Sequence, residues 1–383
     1  MNKKYAVTIL MVCVLVLGAC FSPWKGDEGA FSISIGETAG GGGTLNRQAA
    51  LGDELKSSLL ATITLSGGPG PDQKRSGLKE GQTVHFSVVS GQWTITIDVI
   101  IPDTEQAGSY EPFARGSLRV NIKPGPNGVI TIPMEGPTVT VNDEDSLRKA
   151  INKYNDKPYI QSFVIEIDVA EIILSQSITV ENGKHITIKA RKPVTIKRGD
   201  QLSASLFIIK AIQDVTDKIF TTVLTLGGAG SASITIDGNK NFISSPPAAG
   251  TVTAPLITVG EPFGGELVMN ERVTLQNNKN IPTTAGVGGS GGAVLVTGSG
   301  PSGGHSVFRM YGGTISGNDA VNGGGVYVDQ FGQFEIFFPA TKESVSGNTA
   351  SDTSSKDYLN VCVSPYTEAE WSIWIDGTPS IGW

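Results

Sequence analysis

Two stretches of this chain carry the same features in the same order, and that repeat restricts the possible folds more than anything else in the sequence. GGAVLV at 291–296, VFRM at 307–310 and GTISGNDA at 313–320 are followed by GGGVYV at 323–328, FEIF at 334–337 and ESVSGNTA at 343–350. Gly291 and Gly323 are 32 residues apart and Asn318 and Asn348 are 30 apart, so each unit holds three short strands and three turns. A fainter copy, VTLQNN, ends at Asn278. A period of that length with three strands predicts one turn of a right-handed parallel β-helix, each coil hydrogen-bonded to the next about 4.8 Å away. Glycine permits positive φ and Asn tolerates the left-handed region, so Gly-Asn after a strand makes a tight corner. Asn278, Gly291, Gly292, Asn318, Gly323, Gly324 and Asn348 are therefore expected at structural turn positions, with Asn stacked over Asn. The 49 glycines among 383 residues, without a collagen period, suit a chain that turns often.

These units resemble the repeats of polymorphic outer-membrane proteins, an adhesin family marked by Gly-Gly-Ala-aliphatic and Phe-x-x-Asn. Gly291, Gly292, Ala293 and Val294 match the first mark. In the second, aliphatics replace Phe: Leu275 before Asn278, Ile315 before Asn318 and Val345 before Asn348. The resemblance covers roughly residues 265–360 and implies a β-helix used in adhesion.

The rest of the second half fits a coil. Short apolar runs recur from Phe163 to Val363 with no helical stretch between them, which does not suit a Rossmann or barrel plan. Ahead of them, Leu147, Ala150, Ile151 and Tyr154 fall at helical spacing after the acidic Asp143, Glu144 and Asp145. One amphipathic helix is expected there, covering the open end of the strand stack. From Phe31 to Met134 the pattern instead alternates with period two in short runs, including Phe31–Ile35, Leu60–Leu65, Val84–Val88, Trp93–Val99, Leu118–Ile122 and Val129–Ile132. That predicts a β-sandwich. GQWTITI from Gly91 looks like the immunoglobulin-like or prealbumin-like sandwiches of exported bacterial proteins, and Trp93, opening a strand, is expected in the core.

At the front, Lys3 and Lys4 precede an apolar run from Tyr5 to Leu17, then Gly18, Ala19 and Cys20. The run is shorter than the ~20 residues of a membrane span, and small residues before a cysteine suit a peptidase. This resembles the lipobox of bacterial lipoproteins, which implies acylation of Cys20 and anchoring to a membrane through the N-terminal lipid. With Ser22, Pro23 and Trp24 and no Asp after the cysteine, outer membrane or cell surface is the expected location. Cys13 leaves with the leader and Cys20 takes the lipid, so Cys362 remains alone and is expected in the core. The expected organisation is a signal peptide over 1–19, a lipidated tether over 20–30, a sandwich over 31–136 and the β-helix over 137–383. The fold class is all-β.

Candidate chemistry is sparse. Loss of Lys3 and Lys4 takes the net charge from −7 to −9, and no nucleic-acid partner is expected. Asp237, in ITIDGN, is read as a turn former. His305 lacks the Gly-His-Gly setting of polygalacturonases, and His185 is placed at the surface. Lys184, Lys189, Arg191, Lys192, Lys197 and Arg198 are expected to form a solvated face balanced by Glu166, Asp168 and Glu171. No P-loop, zinc spacing or nucleophile elbow occurs, so no cofactor, metal or catalytic residue is assigned. The expected function is a non-enzymatic envelope lipoprotein presenting a rigid β-helix face to a glycan or protein ligand. The alternatives are a polysaccharide lyase or glycoside hydrolase of the β-helix type, and a purely structural envelope protein.

Overall fold

The structure is a computed structural model and describes residues 27–34, 57–103, 108–132, 134–157, 160, 162–210, 212–213, 219–240, 254–260, 264–281, 289–298, 306–351, 360–363, 373–376 and 378–379. The leader, Cys20, the tether up to residue 26 and His305 lie outside the described residues. The chain divides into two units, Met1–Glu135 and Gly136–Trp383.

In the first unit, alternation of side chains builds two sheets. One has five antiparallel strands in the order Gln73–Leu78, Leu60–Ser66, Gly91–Pro102, Tyr110–Ile122, Met134–Glu135. The other has three, Thr83–Val89, Glu28–Ser34 and Gly125–Val129, the last pairing parallel to its neighbour. Phe31, Ile33, Phe86 and Val88 of the smaller sheet share one apolar cluster with Ile63, Leu65, Trp93 and Ile95 of the larger. Trp93 is buried there, its ring N–H donating to the Val89 carbonyl at 2.8 Å, so the indole is both covered and satisfied. The expected strand Val129–Ile132 falls earlier in the chain, at Gly125–Val129. The Asn127 amide, bonded to both Lys123 and Ala30, places that segment.

The second unit is built from parallel sheets. Sheet I runs Thr138–Val141, Ser162–Ile167, His185–Ala190, Thr222–Leu226, Gly265–Met269, Ser306–Met310, Gly332–Ile336 and Ile373–Ile375, with Thr378–Pro379 added antiparallel. Sheet II runs Glu171–Leu174, Val194–Arg198, Ile234–Asp237, Val273–Gln276 and Thr314–Ser316, extended by a bridge between Ile315 and Val345. Sheet III runs Ile178–Val180, Phe207–Ile209, Ile257–Val259, Val294–Val296, Val326–Val328 and Val361–Val363. A short fourth sheet holds Lys279–Asn280, Asp319–Ala320 and Thr349–Ala350. From Ser162 onward the chain visits I, II and III in that rotation again and again, so each strand pairs with the one laid down a circuit earlier.

Register is kept by inward aliphatics. Ile188, Leu226, Met269, Met310 and Ile336 face one another along sheet I. Ile196, Ile236, Leu275 and Ile315 do the same along sheet II, and Ile209, Val259, Val296 and Val328 along sheet III. All are essentially removed from solvent. Slipping any strand by one residue would turn its aliphatics outward, so burial enforces the pairing. The chain is thus mostly β with long parallel sheets, compatible with a parallel β-helix. Glu171–Leu174 in sheet II and Gly265–Met269 in sheet I are strands beyond the apolar runs legible in the sequence.

Helix α1, Glu144–Asn155, is the α-helix at the start of this unit. Asp143 caps it by accepting from the Ser146 amide at 2.7 Å. Leu147, Ala150, Ile151 and Tyr154 are buried, and the Tyr154 ring lies 4.5 Å from that of Phe163 on the first full circuit. Glu144 accepts from Ser175 and pairs with Arg148, tying the helix to the turn beyond the first strand of sheet II. Among the described residues no helix is long and apolar enough to cross a membrane.

Candidate functional site

The turn after sheet II carries the asparagines singled out in the sequence. Asn318 is fully buried; its side-chain amide donates to the Leu275 and Ser316 carbonyls, both at 3.1 Å, and to the Asn348 side-chain oxygen at 3.0 Å. Its own oxygen accepts from the Asn278 backbone at 3.1 Å. Asn348 continues the ladder to Asn360. The left-handed residue of each corner is the one before the Asn: Asn277, Gly317 and Gly347 have φ of 57°, 67° and 67°. The ladder starts at Asn278. One circuit earlier the Asn239 amide is taken by Asp237 at 2.7 Å, and Asn239 itself is left-handed. Asp237 also accepts from Gln276 and Asn277, so it sits as a turn former. Gly291 and Gly323 occupy the equivalent turns before sheet III, with Gly292 beneath Gly324: a Cβ on Gly292 would meet the Gly324 carbonyl oxygen at 1.8 Å. All these positions hold coil on coil, and none of them is among the residues that line the groove described below.

The basic cluster divides. Arg191 pairs with Glu166 and Asp168, and Lys192 with Asp168, at the surface as expected. Glu171 instead lies beside Thr195 on sheet II. Lys184 and Arg198 are buried, which corrects the reading of them as a solvated face. Both share the parity of the inward aliphatics, Ile186 and Ile188 for one and Val194 and Ile196 for the other, and so turn inward at strand ends. There they donate to backbone carbonyls. The Lys184 ammonium donates to Lys157 and Ile160, and burial pushes its pKa down to about 8 against the pull of Asp156. The Arg198 guanidinium donates to Leu202, Ala204, Ala254 and Pro255, and burial lowers its pKa to about 10. His185 opens its strand exposed, and Cys362 is buried on sheet III.

The residues best placed to meet a ligand lie on the outer face of sheet I and on the turns that follow it. Arg309 lies between Glu266 of the preceding circuit, at 2.5 Å, and Glu335 of the next, at 2.6 Å. Burial works against its charge, but the hydrogen bonds it donates to both carboxylates, together with their negative charge, outweigh burial and raise its pKa. Two residues along, Tyr311 stacks on Phe337 of the next circuit with ring centroids 4.7 Å apart.

Here the turns of four successive circuits open a groove of about 440 Å³, lined by Gly228–Ser231, Asn270, Glu271, Arg272, Tyr311, Phe338 and Pro339. The turn at 311–313 packs closely on the preceding one. A Cβ on Gly312 would come within 2.8 Å of the Glu271 backbone. Glu271 and Arg272 stand exposed beside it, Arg272 in the left-handed region at φ 62°. Phe338 is 81% exposed and Tyr311 38%.

Sequence reasoning passed over Glu266, Arg309, Glu335, Tyr311 and Phe338, although the signal was present. Aligning Phe308 with Phe334 places Arg309 against Glu335 and Tyr311 against Phe337. Among the described residues, no three His, Cys, Asp or Glu side chains come together in a group suited to a metal ion. No protein-family model, curated protein or solved structure matches the chain.

Proposed function

We propose that this chain is an envelope lipoprotein, cleaved before Cys20 and anchored by lipid there, which presents a rigid β-helix surface for adhesion or interaction. In this reading the first unit is a sandwich of the immunoglobulin or prealbumin kind, its two sheets covering one core. The second is a parallel β-helix, right-handed because parallel crossovers almost always are, with α1 covering its first circuit. The observation that carries the reading is the repeated register. Side chains at one outward position recur on successive circuits, as Thr195, Thr235, Thr274 and Thr314 do on sheet II, so a ligand meets evenly spaced groups on a backbone that cannot slip. A long, stiff, repetitive face suits recognition of an extended or repetitive partner.

Binding of the purified full chain to bacterial cells, host cells and matrix glycans tests the reading, with retention at one class of surface expected. No retention on any of them would sink it. Cys20→Ala is expected to abolish incorporation of labelled palmitate and membrane association together.

The lyase or hydrolase reading draws on Glu266, Arg309 and Glu335, two carboxylates and a guanidinium on the outer face of sheet I. Their pairing argues for a structural role: an arginine held as a cation between two carboxylates is a poor proton acceptor, and each carboxylate already has its partner. Incubation with acidic and neutral polysaccharides, with and without Ca2+, is expected to release no oligosaccharide. Depolymerisation that disappears in Glu335→Gln would overturn this preference.

A further inference from the structure

The groove over the turns of sheet I has a chemistry that selects among ligands. Its lining offers two exposed aromatic rings, the amide of Asn270, the carboxylate of Glu271 and the guanidinium of Arg272. Tyr311 stacks on Phe337, which holds its ring in place, and the same ring lines the groove and is 38% exposed. An ionised carboxylate only accepts hydrogen bonds and a guanidinium only donates them. A ligand that satisfies both side by side needs groups that donate and accept equally well, which neighbouring hydroxyls do. Glu271 and Arg272 carry opposite charges within the lining, so neither an anion nor a cation meets a surface of one sign there. The exposed rings call for a flat apolar patch on the same ligand, and the C–H face of a pyranose supplies one. The volume of about 440 Å³ falls within the range of small-ligand sites.

The geometry points to this groove as a binding site for a neutral pyranose unit of a glycan, stacked against Tyr311 and Phe338 with its hydroxyls held by Asn270, Glu271 and Arg272. The inference rests on the reading of the chain as a display surface and names the place and class of one ligand.

The test is calorimetric titration of the purified full chain with neutral tetrasaccharides of glucose, galactose, mannose and N-acetylglucosamine, and with uronate tetrasaccharides for contrast. At least one neutral tetrasaccharide is expected to bind. Phe338→Ala and Glu271→Gln, both at exposed positions, should each weaken that binding about tenfold without a change in Tm. The site is overturned if no neutral tetrasaccharide binds at millimolar concentration, if a uronate binds more tightly than all of them, or if both variants bind within about twofold of the parent. Cell or matrix adhesion that persists unchanged in both variants would remove the groove and leave the display reading standing. Tetrasaccharide binding by a protein that adheres to no surface would remove the display reading and leave the groove.

Discussion

Asn318 is the residue on which the ladder turns, because it serves three circuits at once: it donates to Leu275, Ser316 and Asn348 and accepts from Asn278. Truncation strands buried carbonyls and a buried amide, and each unmet group costs about 1–3 kcal/mol. Asn318→Ala is therefore expected to lower unfolding stability by about 2–4 kcal/mol, read from the urea midpoint; a loss no larger than that of an exposed substitution would contradict the ladder. The stacking of Asn over Asn was legible from the repeat. The position of the strained residue was not, because Gly-Asn as a pair does not say which member takes positive φ.

Lys184 was misread by composition and would have been read correctly by parity, since it stands two residues before Ile186 on the inward row. Its buried ammonium has a pKa of about 8, against 10.5 for an ordinary lysine. Between those values the unfolded chain holds more of this proton than the folded one, so the stability contributed by this group rises with pH through that window and is flat below it. The urea midpoint of the parent, compared with that of Lys184→Met, should climb from pH 8 towards 10.5. Parallel curves would contradict the assignment.

At the scale of the element, the coil is held by strands only two to six residues long, and the turns between them decide whether neighbouring circuits can meet. Gly292 sits where a Cβ would fall 1.8 Å from the Gly324 oxygen, so Gly292→Ala must push two circuits apart. A loss of about 2–3 kcal/mol is expected, with faster amide exchange along Val294–Val296 and Val326–Val328 than elsewhere in the unit. A protein as stable as its parent, with unchanged exchange there, would contradict the close approach.

Most strands were legible because inward aliphatics alternate. Glu171–Leu174 and Gly265–Met269 were passed over although their burial alternates just as clearly, since a leading Glu or Gly masks so short a run. Helix α1 was legible because four apolar residues at helical spacing follow an acidic cap, and the same four are buried.

At the scale of the whole molecule, the sequence betrayed the rotation through three sheets only where two circuits carry the same short motifs in the same order. Successive strands of sheet I begin at residues 185, 222, 265, 306 and 332, so the circuits differ in length while their strands keep register. The extra residues enter at turns, where length is tolerated, and a fixed-period search does not see them. The groove was hidden for a related reason. Its residues come from turns of four circuits and share no motif, so they become neighbours only after the strands are aligned.

Strands a circuit apart lie side by side and parallel throughout the second unit's three long sheets. Thr274 and Thr314 are partners on sheet II with hydroxyl oxygens 3.3 Å apart, whereas Thr235 lies a further circuit away. Neighbouring strands place the first pair within the Cα separation a disulfide spans, and a gap of two strands, about 9.6 Å, exceeds it. Mild oxidation of the full chain carrying Thr274→Cys with Thr314→Cys, the native cysteines replaced, is predicted to give a disulfide in nearly all molecules. The pair Thr235→Cys with Thr314→Cys should give none. Failure of the first pair to close, or ready closure of the second, would contradict the stacked parallel register.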